Sequence, residues 1–235
     1  MRNRIALAAA LAAGTLALTA APATAADAVV ADATAGPGAG RSCGGLRLTG
    51  ALPAPPAGTA VQQRVSIGAD CRPVFGEVTL VPAEGAPAAK GVAAAAAAAA
   101  AAPTTRQFTS WNEMFDCCNI RMTGLYTTSS WTGDGTRITT ADTTATQQWN
   151  REPWNAGWSL KSATKNSDCT ADCAASHNEA HAEFTYKGIF DVTGAWYANT
   201  HHSYVDLAAD GTATCRFDVE LRHTFIGWNW QRGCR

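Results

Sequence analysis

The chain has 235 residues, a formal net charge of −1 and 16% charged residues. A near-neutral chain gives no electrostatic basis for binding nucleic acid or an anionic membrane surface, so we expect neither partner. Cleavage of a predicted N-terminal signal would remove two arginines and change the net charge to −3, which supports the same exclusion.

Residues 1–25 have the pattern of a secretory signal peptide. Two arginines precede an apolar run at residues 5–18, and Ala23-Thr24-Ala25 matches a small-residue cleavage site. A membrane-spanning helix needs about 20 apolar residues, whereas this run has 14. We therefore expect a secreted, extracellular protein that begins near Ala26 and has no membrane span. Residues 26–40 are rich in Ala, Gly and Pro and are expected to be disordered.

Residues 41–82 are predicted to form a small β unit. Alternating or apolar segments at residues 61–67 and 74–80 favour two short strands. Cys43 and Cys71 are the unit's only cysteines, so we expect them to pair with each other. A unit of about 40 residues buries too little apolar surface to be stable without such a bridge.

Residues 83–105 are predicted to be a linker. Ten consecutive alanines at residues 93–102 lie between Gly91 and Pro103. Alanine favours helix, but an isolated helix shorter than about 12–15 residues is marginal in water. We therefore expect exchange between helix and coil. The alternative is a processing site that frees the C-terminal part and leaves residues 41–102 as a pro-segment.

Residues 106–235 are predicted to form the main β domain, rich in cysteine and tryptophan. A capping-box pattern at residues 110–113 predicts a single helical turn. The remaining pattern consists of short strand-like segments separated by turns that contain Gly, Asp or Pro. These segments are residues 120–128, 136–140, 158–163, 180–189, 197–207 and 212–225. The series predicts an all-β fold, an antiparallel sandwich or barrel stapled by disulfides.

The C-terminal hairpin has the clearest pattern. Polar and apolar residues alternate over residues 212–225, and Asp210-Gly211 predicts the turn that joins this strand to its partner. The resulting register places His202 opposite Asp218, with Glu220 nearby on the same face. A histidine beside a carboxylate can act as a general base with its orienter, so these three residues are the catalytic candidates of a small secreted hydrolase. Cross-strand charge pairing is the simpler interpretation.

His177 and His181 are the candidate metal ligands. On a helix their spacing would place both on one face, as in metal-chelating pairs. The acid between them is Glu179, which does not match the His-Glu-x-x-His zinc pattern. Residues from Ala180 onward alternate in polarity, so we favour a strand and predict no metal there. No other pattern indicates a cofactor.

All eight cysteines follow the predicted signal peptide, and an even number in an exported chain predicts disulfides. We expect four bridges and no free thiol. Because a bond between adjacent cysteines is strained, Cys117 and Cys118 are each expected to pair elsewhere. The alternative is a zinc site formed by Cys117, Cys118, Cys169 and Cys173. The cysteines are Cys43, Cys71, Cys117, Cys118, Cys169, Cys173, Cys215 and Cys234.

Five tryptophans are the candidate ligand-binding residues. They occur in polar, turn-rich sequence, where a flat ring beside Asn, Gln and Arg is typical of sugar recognition. The sequence therefore predicts a non-catalytic module that binds polysaccharide or cell-wall material through exposed rings. A structural or inhibitory protein with tryptophans in its core is the alternative. The five are Trp149, Trp154, Trp158, Trp228 and Trp230.

Overall fold

The computed structural model describes residues 42–83, 104–151 and 157–235, and within them the chain forms strands and turns without a helix. The predictions for the signal peptide, residues 26–40, most of the linker and Trp154 lie outside the described residues. The strands are β1 (Ser42–Cys43), β2 (Leu46–Leu52), β3 (Thr59–Ile67), β4 (Pro73–Phe75), β5 (Thr79–Pro82), β6 (Thr104–Phe115), β7 (Arg121–Gly133), β8 (Ile138–Trp149), β9 (Gly157–Ser167), β10 (Ala175–Lys187), β11 (Ala198–Ala208), β12 (Ala213–Leu221), β13 (Thr224–Phe225) and β14 (Asn229–Cys234).

Two antiparallel sheets pack face to face. The five-stranded sheet has the order β2-β12-β11-β10-β9. The seven-stranded sheet has the order β4-β3-β14-β6-β7-β8, with β5 also paired to β3. Strands β6, β7 and β8 lie against β10 and β11, and β1 and β13 form a separate short ladder. The predicted all-β, antiparallel fold is therefore confirmed, and its architecture is a sandwich.

The C-terminal hairpin has the predicted register. His202 pairs with Asp218, and Thr200 pairs with Glu220, across β11 and β12. The turn between the strands uses Gly211 at φ 87°, a left-handed conformation that favours glycine. Alternate residues of both strands point into the sandwich, where Phe217 is fully buried.

Residues 42–82, predicted as a small disulfide-closed β unit, contribute strands to both sheets and share their core. Strand β2 pairs along its length with β12 at the edge of the five-stranded sheet. Strand β3 pairs with β14 inside the seven-stranded sheet. Periodicity identified β3 and the region of β4 and β5, but it missed β2 and gave no partners, because pairing between distant segments leaves no local pattern. The predicted Cys43–Cys71 bridge is present.

The predicted helical turn at residues 110–113 is wrong, because these residues lie within β6. Ser110 and Asn112 point into the sandwich and are buried there. The Ser110 hydroxyl is 2.6 Å from that of Thr127, and the Asn112 side-chain amide donates to the carbonyl oxygens of His202 and Asp218. These cross-strand and cross-sheet bonds outweigh the local capping preference.

A buried polar network joins the two sheets. It is centred on Asn112 of β6 and His201 of β11, whose Nδ1 lies 2.9 Å from the Asn112 side-chain oxygen. The same oxygen accepts a hydrogen bond from Trp230 at 2.7 Å. On the other side of the ring, His201 Nε2 lies 2.9 Å from the Thr123 hydroxyl, which also accepts from Asn199. Polar groups thus occupy the middle of the core, where the bonds named here satisfy His201, Thr123 and Trp230. The side-chain oxygen of Asn199 is buried without a partner among the described residues.

Six of the eight cysteines form disulfides: Cys43–Cys71, Cys169–Cys173 and Cys215–Cys234. Cys117 and Cys118 are free and exposed, so the prediction of four bridges is wrong. The zinc alternative is also wrong for Cys169 and Cys173, which are bonded to each other. Three disulfides indicate an oxidising environment. No helix among the described residues is long and apolar enough to cross a membrane.

Candidate functional site

An apolar cavity of about 520 Å³ lies where the ends of several strands meet, and its volume is in the range of small-molecule sites. We call it the end pocket. Its walls come from the β6–β7 turn, the starts of β7 and β9, the β10–β11 loop and the segment before β14. The lining residues are Asp116, Cys117, Ile120, Met122, Asn150, Trp158, Phe190, Phe225, Ile226 and Trp228.

Two tryptophans contribute to the lining. Trp158 is at the start of β9, where its amide donates to the Asn150 carbonyl oxygen at 3.1 Å. Trp228 precedes β14, and its carbonyl oxygen accepts from the Ile67 amide at 2.8 Å. Only 6% of Trp158 and 7% of Trp228 is exposed, so both rings are embedded in the wall. These backbone hydrogen bonds anchor both tryptophans to the sheets, which favours a preformed cavity.

An aromatic cluster supports the pocket from behind. The Tyr197 ring lies 5.7 Å from Phe225 and 6.1 Å from both Trp228 and Tyr186. Tyr186 in turn meets Trp158 edge to face at 5.7 Å. Contacts of this geometry add about 0.5–1.5 kcal/mol per pair beyond simple burial. The cluster therefore fixes both tryptophans relative to each other.

The loop between β10 and β11, residues 188–197, forms one rim of the pocket and is held by Asp191. One carboxylate oxygen of Asp191 accepts from the Thr193 hydroxyl at 2.7 Å and the Gly194 amide at 2.9 Å. The other accepts from the amides of Trp196 and Tyr197. Burial opposes ionisation of Asp191, but these hydrogen bonds outweigh it and hold the pKa of the carboxyl well below its usual range.

The rim exposes large apolar side chains. Phe190 lines the pocket with 70% of its surface exposed, and Ile120, on the opposite turn, lines it with 51% exposed. Three further residues of the same loop, Ile189, Val192 and Trp196, are also exposed. A group of exposed apolar side chains at the mouth of an apolar cavity is typical of a binding site.

The five candidate tryptophans do not form one exposed surface. Trp158 and Trp228 come together in the end pocket, but both are buried. Trp230 is fully buried in the polar network described above, and Trp149 is half-buried with its ring 6.1 Å from Phe184. The expectation of exposed rings is therefore wrong for Trp158, Trp228 and Trp230. These rings fill space between the sheets, as tryptophan usually does in small domains.

Sequence reasoning missed the rim of the pocket. Phe190 and Ile120 attracted no functional interpretation, although the apolar run Ile189-Phe190 stands in a stretch rich in Asp, Thr and Gly. Large apolar residues within such a turn-like segment are the signal that was available. The missing information was that this loop meets the β6–β7 turn in space.

The catalytic candidates lie on the outer face of the five-stranded sheet. His202 and Asp218 are opposite each other, but Arg47 and Arg216 each lie 3.4 Å from the Asp218 carboxylate. Arg47 also binds Glu220 at 3.2 Å. The carboxylates expected to orient His202 are thus paired with arginines. This face is a network of charge pairs, which matches the simpler interpretation of the hairpin pattern.

His202 instead contacts β10. Its ring stacks on His181 at 4.5 Å with an interplanar angle of 18°, and its Nδ1 lies 3.5 Å from a Glu179 oxygen. Burial and the neighbouring His202 lower the pKa of His181. Stacked imidazole rings are an ordinary contact on a sheet face. Neither of these contacts of His202 involves a nucleophilic hydroxyl or thiol group.

The two candidate metal ligands lie in β10, which confirms the strand interpretation for His181 and shows that the strand also includes His177. His177 Nδ1 is 2.7 Å from an Asp206 oxygen, and this hydrogen bond raises the pKa of His177. His181 stacks on His202 and makes no shared site with His177. In the described part of the chain, no group of three or more His, Cys, Asp or Glu side chains is placed to hold a metal ion.

No family model, no curated protein and no solved structure matches this chain. The geometry of the end pocket is therefore the basis for a functional argument. The pocket combines a preformed apolar cavity, two fixed indole rings and an exposed apolar rim, and the outer face of the five-stranded sheet has none of these.

Proposed function

We propose that this protein is a secreted, non-catalytic binding module whose site is the end pocket, and that its ligand presents an apolar group. The observation that carries the proposal is the cavity of about 520 Å³ between Trp158 and Trp228. A cavity of this size accommodates a ring system or a short branched chain. The predicted signal peptide and the three disulfides support action outside the cytoplasm.

The chemistry of the walls supports an apolar ligand. Seven of the ten lining residues are aromatic or aliphatic. One carboxylate oxygen of Asp116 is already used by the amides of Cys118 and Ile120, at 2.9 and 2.8 Å. Polar recognition is thus confined to the edge of the cavity, which suits orientation of a ligand more than its main attraction.

A glycan is the second ligand candidate, and the two indole rings in the pocket wall favour it. A sugar stacks on a ring through its C–H face, which requires access to a flat ring surface. The low exposure of Trp158 and Trp228 limits such access. The hydrolase alternative has no comparable support, because Asp218, which lies opposite His202, and the nearby Glu220 are paired with arginines.

The proposal is tested with an apolar fluorescent probe, anilinonaphthalene sulfonate, titrated into the native protein. We expect saturable binding with enhanced probe emission, and quenching of protein tryptophan emission by energy transfer. Phe190→Ser and Ile120→Ser each remove an exposed side chain of the rim. A bound probe would bury about half of such a side chain, and loss of this contact reduces the binding free energy by about 1 kcal/mol. Each variant should therefore weaken probe binding about fivefold.

Leu80→Ser is the matched control, because Leu80 is 57% exposed, lies on β5 and does not line the pocket. It should leave probe affinity unchanged. Equal losses in all three variants, or no saturable binding, would contradict the proposal. Sedimentation with insoluble polysaccharides and peptidoglycan separates the second candidate: retention that Phe190→Ser abolishes would assign the pocket to a glycan.

A further inference from the structure

Two adjacent free thiols lie at the wall of the end pocket. Cys117 and Cys118 are exposed in the β6–β7 turn, and their sulfur atoms are 3.8 Å apart. Cys117 lines the cavity. The other six cysteines are all in disulfides. A pair of accessible thiols in an oxidising environment is chemically reactive toward oxidation.

The turn holds the pair together. The Asp116 amide donates to the Ile120 carbonyl oxygen at 3.0 Å, and the Asn119 amide donates to the Asp116 carbonyl oxygen at 3.1 Å. Asp116 Oδ1 accepts from the amides of Cys118 and Ile120. Asn119 has φ 62°, a left-handed conformation that asparagine tolerates. Both thiols are therefore presented on one short, well-bonded turn.

The pair is also close to the opposite wall. Gly227 has φ 86°, and a Cβ atom at this position would lie 3.2 Å from Cys117 Cβ. A side chain at residue 227 would therefore press on the cysteine turn. Because Cys117 itself lines the cavity, a movement of its side chain changes the pocket wall.

We propose that Cys117 and Cys118 form a vicinal disulfide and that this bond reshapes the wall of the end pocket. The second half of this statement rests on the proposed function of the pocket; the first half does not. Bond formation needs the sulfur atoms to approach from 3.8 Å to about 2.05 Å. That shift is smaller than a side-chain rotamer change, although the connecting peptide must distort.

The oxidant is a low-molecular-weight disulfide. The thiolate of Cys117 attacks one sulfur of this disulfide, which forms a mixed disulfide and releases one thiolate. The Cys118 thiol then loses its proton and attacks the Cys117 sulfur, which forms the Cys117–Cys118 bond and releases the second thiolate. Two protons leave the protein, and two electrons reduce the oxidant to two thiols.

Cys118 is the second residue to react in this order. Its hydrogen bond with Cys117, together with the negative charge of Asp116, raises the pKa of the Cys118 thiol. Closure draws the Cys117 sulfur toward Cys118 and away from the cavity. It also strains the peptide whose amide, at Cys118, donates to Asp116. Ile120 depends on the same acceptor, so we expect the rim to lose order and the oxidised protein to bind an apolar ligand more weakly.

The bond is tested by equilibrating native protein with glutathione disulfide and measuring intact mass and peptide maps without reduction. We expect a monomer that has lost two hydrogen atoms relative to the three-bridge form, with Cys117 and Cys118 in one bridged peptide. Cys118→Ser should instead stop at a glutathione adduct on Cys117. Two remaining thiols, a stable adduct on the wild type, or a disulfide-linked dimer would each overturn the proposal.

The effect on the pocket is tested with anilinonaphthalene sulfonate. Oxidised wild type should bind the probe about threefold to fivefold more weakly than the Cys117→Ser/Cys118→Ser variant. The double variant should not respond to glutathione disulfide. Equal affinities would overturn the effect on the wall while leaving the bond itself established by mass. Absence of probe binding in both proteins would count against the pocket's function, and the mass result would still decide the bond.

Discussion

His201 is fully buried between the sheets, and its neighbours determine which nitrogen carries the proton. The side-chain oxygen of Asn112 can only accept, so His201 Nδ1 must donate to it. His201 Nε2 must then accept from the Thr123 hydroxyl, whose own acceptor site is filled by Asn199. Protonation of the ring would place a second donor against that hydroxyl. Burial and the nearby His202 and His181 therefore lower the pKa of His201 to about 3.

The depressed pKa predicts a loss of stability in mild acid. The unfolded chain binds a proton below the ordinary value of 6.5, whereas the folded protein does so only near 3. Between these values the unfolded state holds more protons, so the free energy of unfolding falls with falling pH by about 1.4 kcal/mol per unit. Urea titrations at pH 7.0, 6.0, 5.0 and about 4.5 measure this slope, and carboxylates contribute to it at the two lowest values.

His201→Gln separates this residue from the other histidines. The variant should be less stable by about 2–4 kcal/mol at neutral pH, because Asn112 and Thr123 lose a partner. Its difference from the wild type should shrink as the pH falls toward 4.5. His177→Gln is the control: His177 is exposed and its pKa is raised, so the acid-dependent loss should persist. A wild-type slope unchanged in His201→Gln would contradict the assignment.

Among the strands, sequence patterns predicted correctly those features that depend only on neighbouring residues. The β11–β12 hairpin was predicted to the register, because alternation and an Asp-Gly turn together leave one pairing. The helical turn in β6 failed because Asn112 finds partners in β11, β12 and β14, which a capping pattern cannot reveal. A local preference worth about 1 kcal/mol is readily outweighed by several buried hydrogen bonds.

The end pocket could not be predicted from local sequence patterns, because its residues come from distant segments. Trp158 and Trp228 were recognised as functional candidates, but their meeting depends on which strand ends share one end of the sandwich. Phe190 and Ile120 belong to two loops that no periodicity connects. The disulfides show the same limit: Cys43–Cys71 was predicted because the two cysteines stood alone in one segment, whereas the remaining pairings required the fold.

Loop 188–197 should depend on a single side chain. Asp191→Asn removes the charge and replaces one acceptor oxygen with a donor, so either the Gly194 amide or the amides of Trp196 and Tyr197 lose their acceptor. We expect faster hydrogen exchange in residues 188–197 and about tenfold weaker binding of the apolar probe. The free energy of unfolding should fall by only about 1–2 kcal/mol, because the loop is outside the two sheets.

Asp134→Asn is the matched control for this prediction. Asp134 closes the β7–β8 turn in the same way, with its carboxylate accepting from the amides of Thr136 and Arg137 at 2.8 and 2.7 Å. It does not line the end pocket. The control should affect exchange in its own turn and leave probe binding unchanged. A similar loss of binding in both variants would show that Asp191 acts through general stability.

For the whole molecule, the segment before the predicted linker completes both sheets. Strand β2 covers the edge of β12, and β3 lies between β4 and β14. Leu48 and Leu52 of β2, and Val61 and Val65 of β3, are buried in the common core. Removal of this segment would expose the backbone of β12 and β14 together with this apolar surface. A pro-segment that dissociates after processing is therefore unfavourable on energetic grounds.

This arrangement predicts that cutting the linker leaves a two-piece protein that stays assembled. A specific protease site introduced between residues 83 and 104 allows one clean cut. The Cys43–Cys71 bridge lies within the first piece, and the other two bridges lie within the second, so no disulfide joins them.

We expect the cut protein to elute as one species in native size-exclusion chromatography and as two species in concentrated urea without reductant. The pieces are then held by strand pairing along β1, β2 and β3 and by burial of the leucines and valines of β2 and β3. Leu48→Ala with Val61→Ala should weaken the association and release the first piece at lower urea, whereas Leu80→Ala, on an exposed position of β5, should not. Separation of the pieces under native conditions would show instead that residues 42–82 form an independent unit.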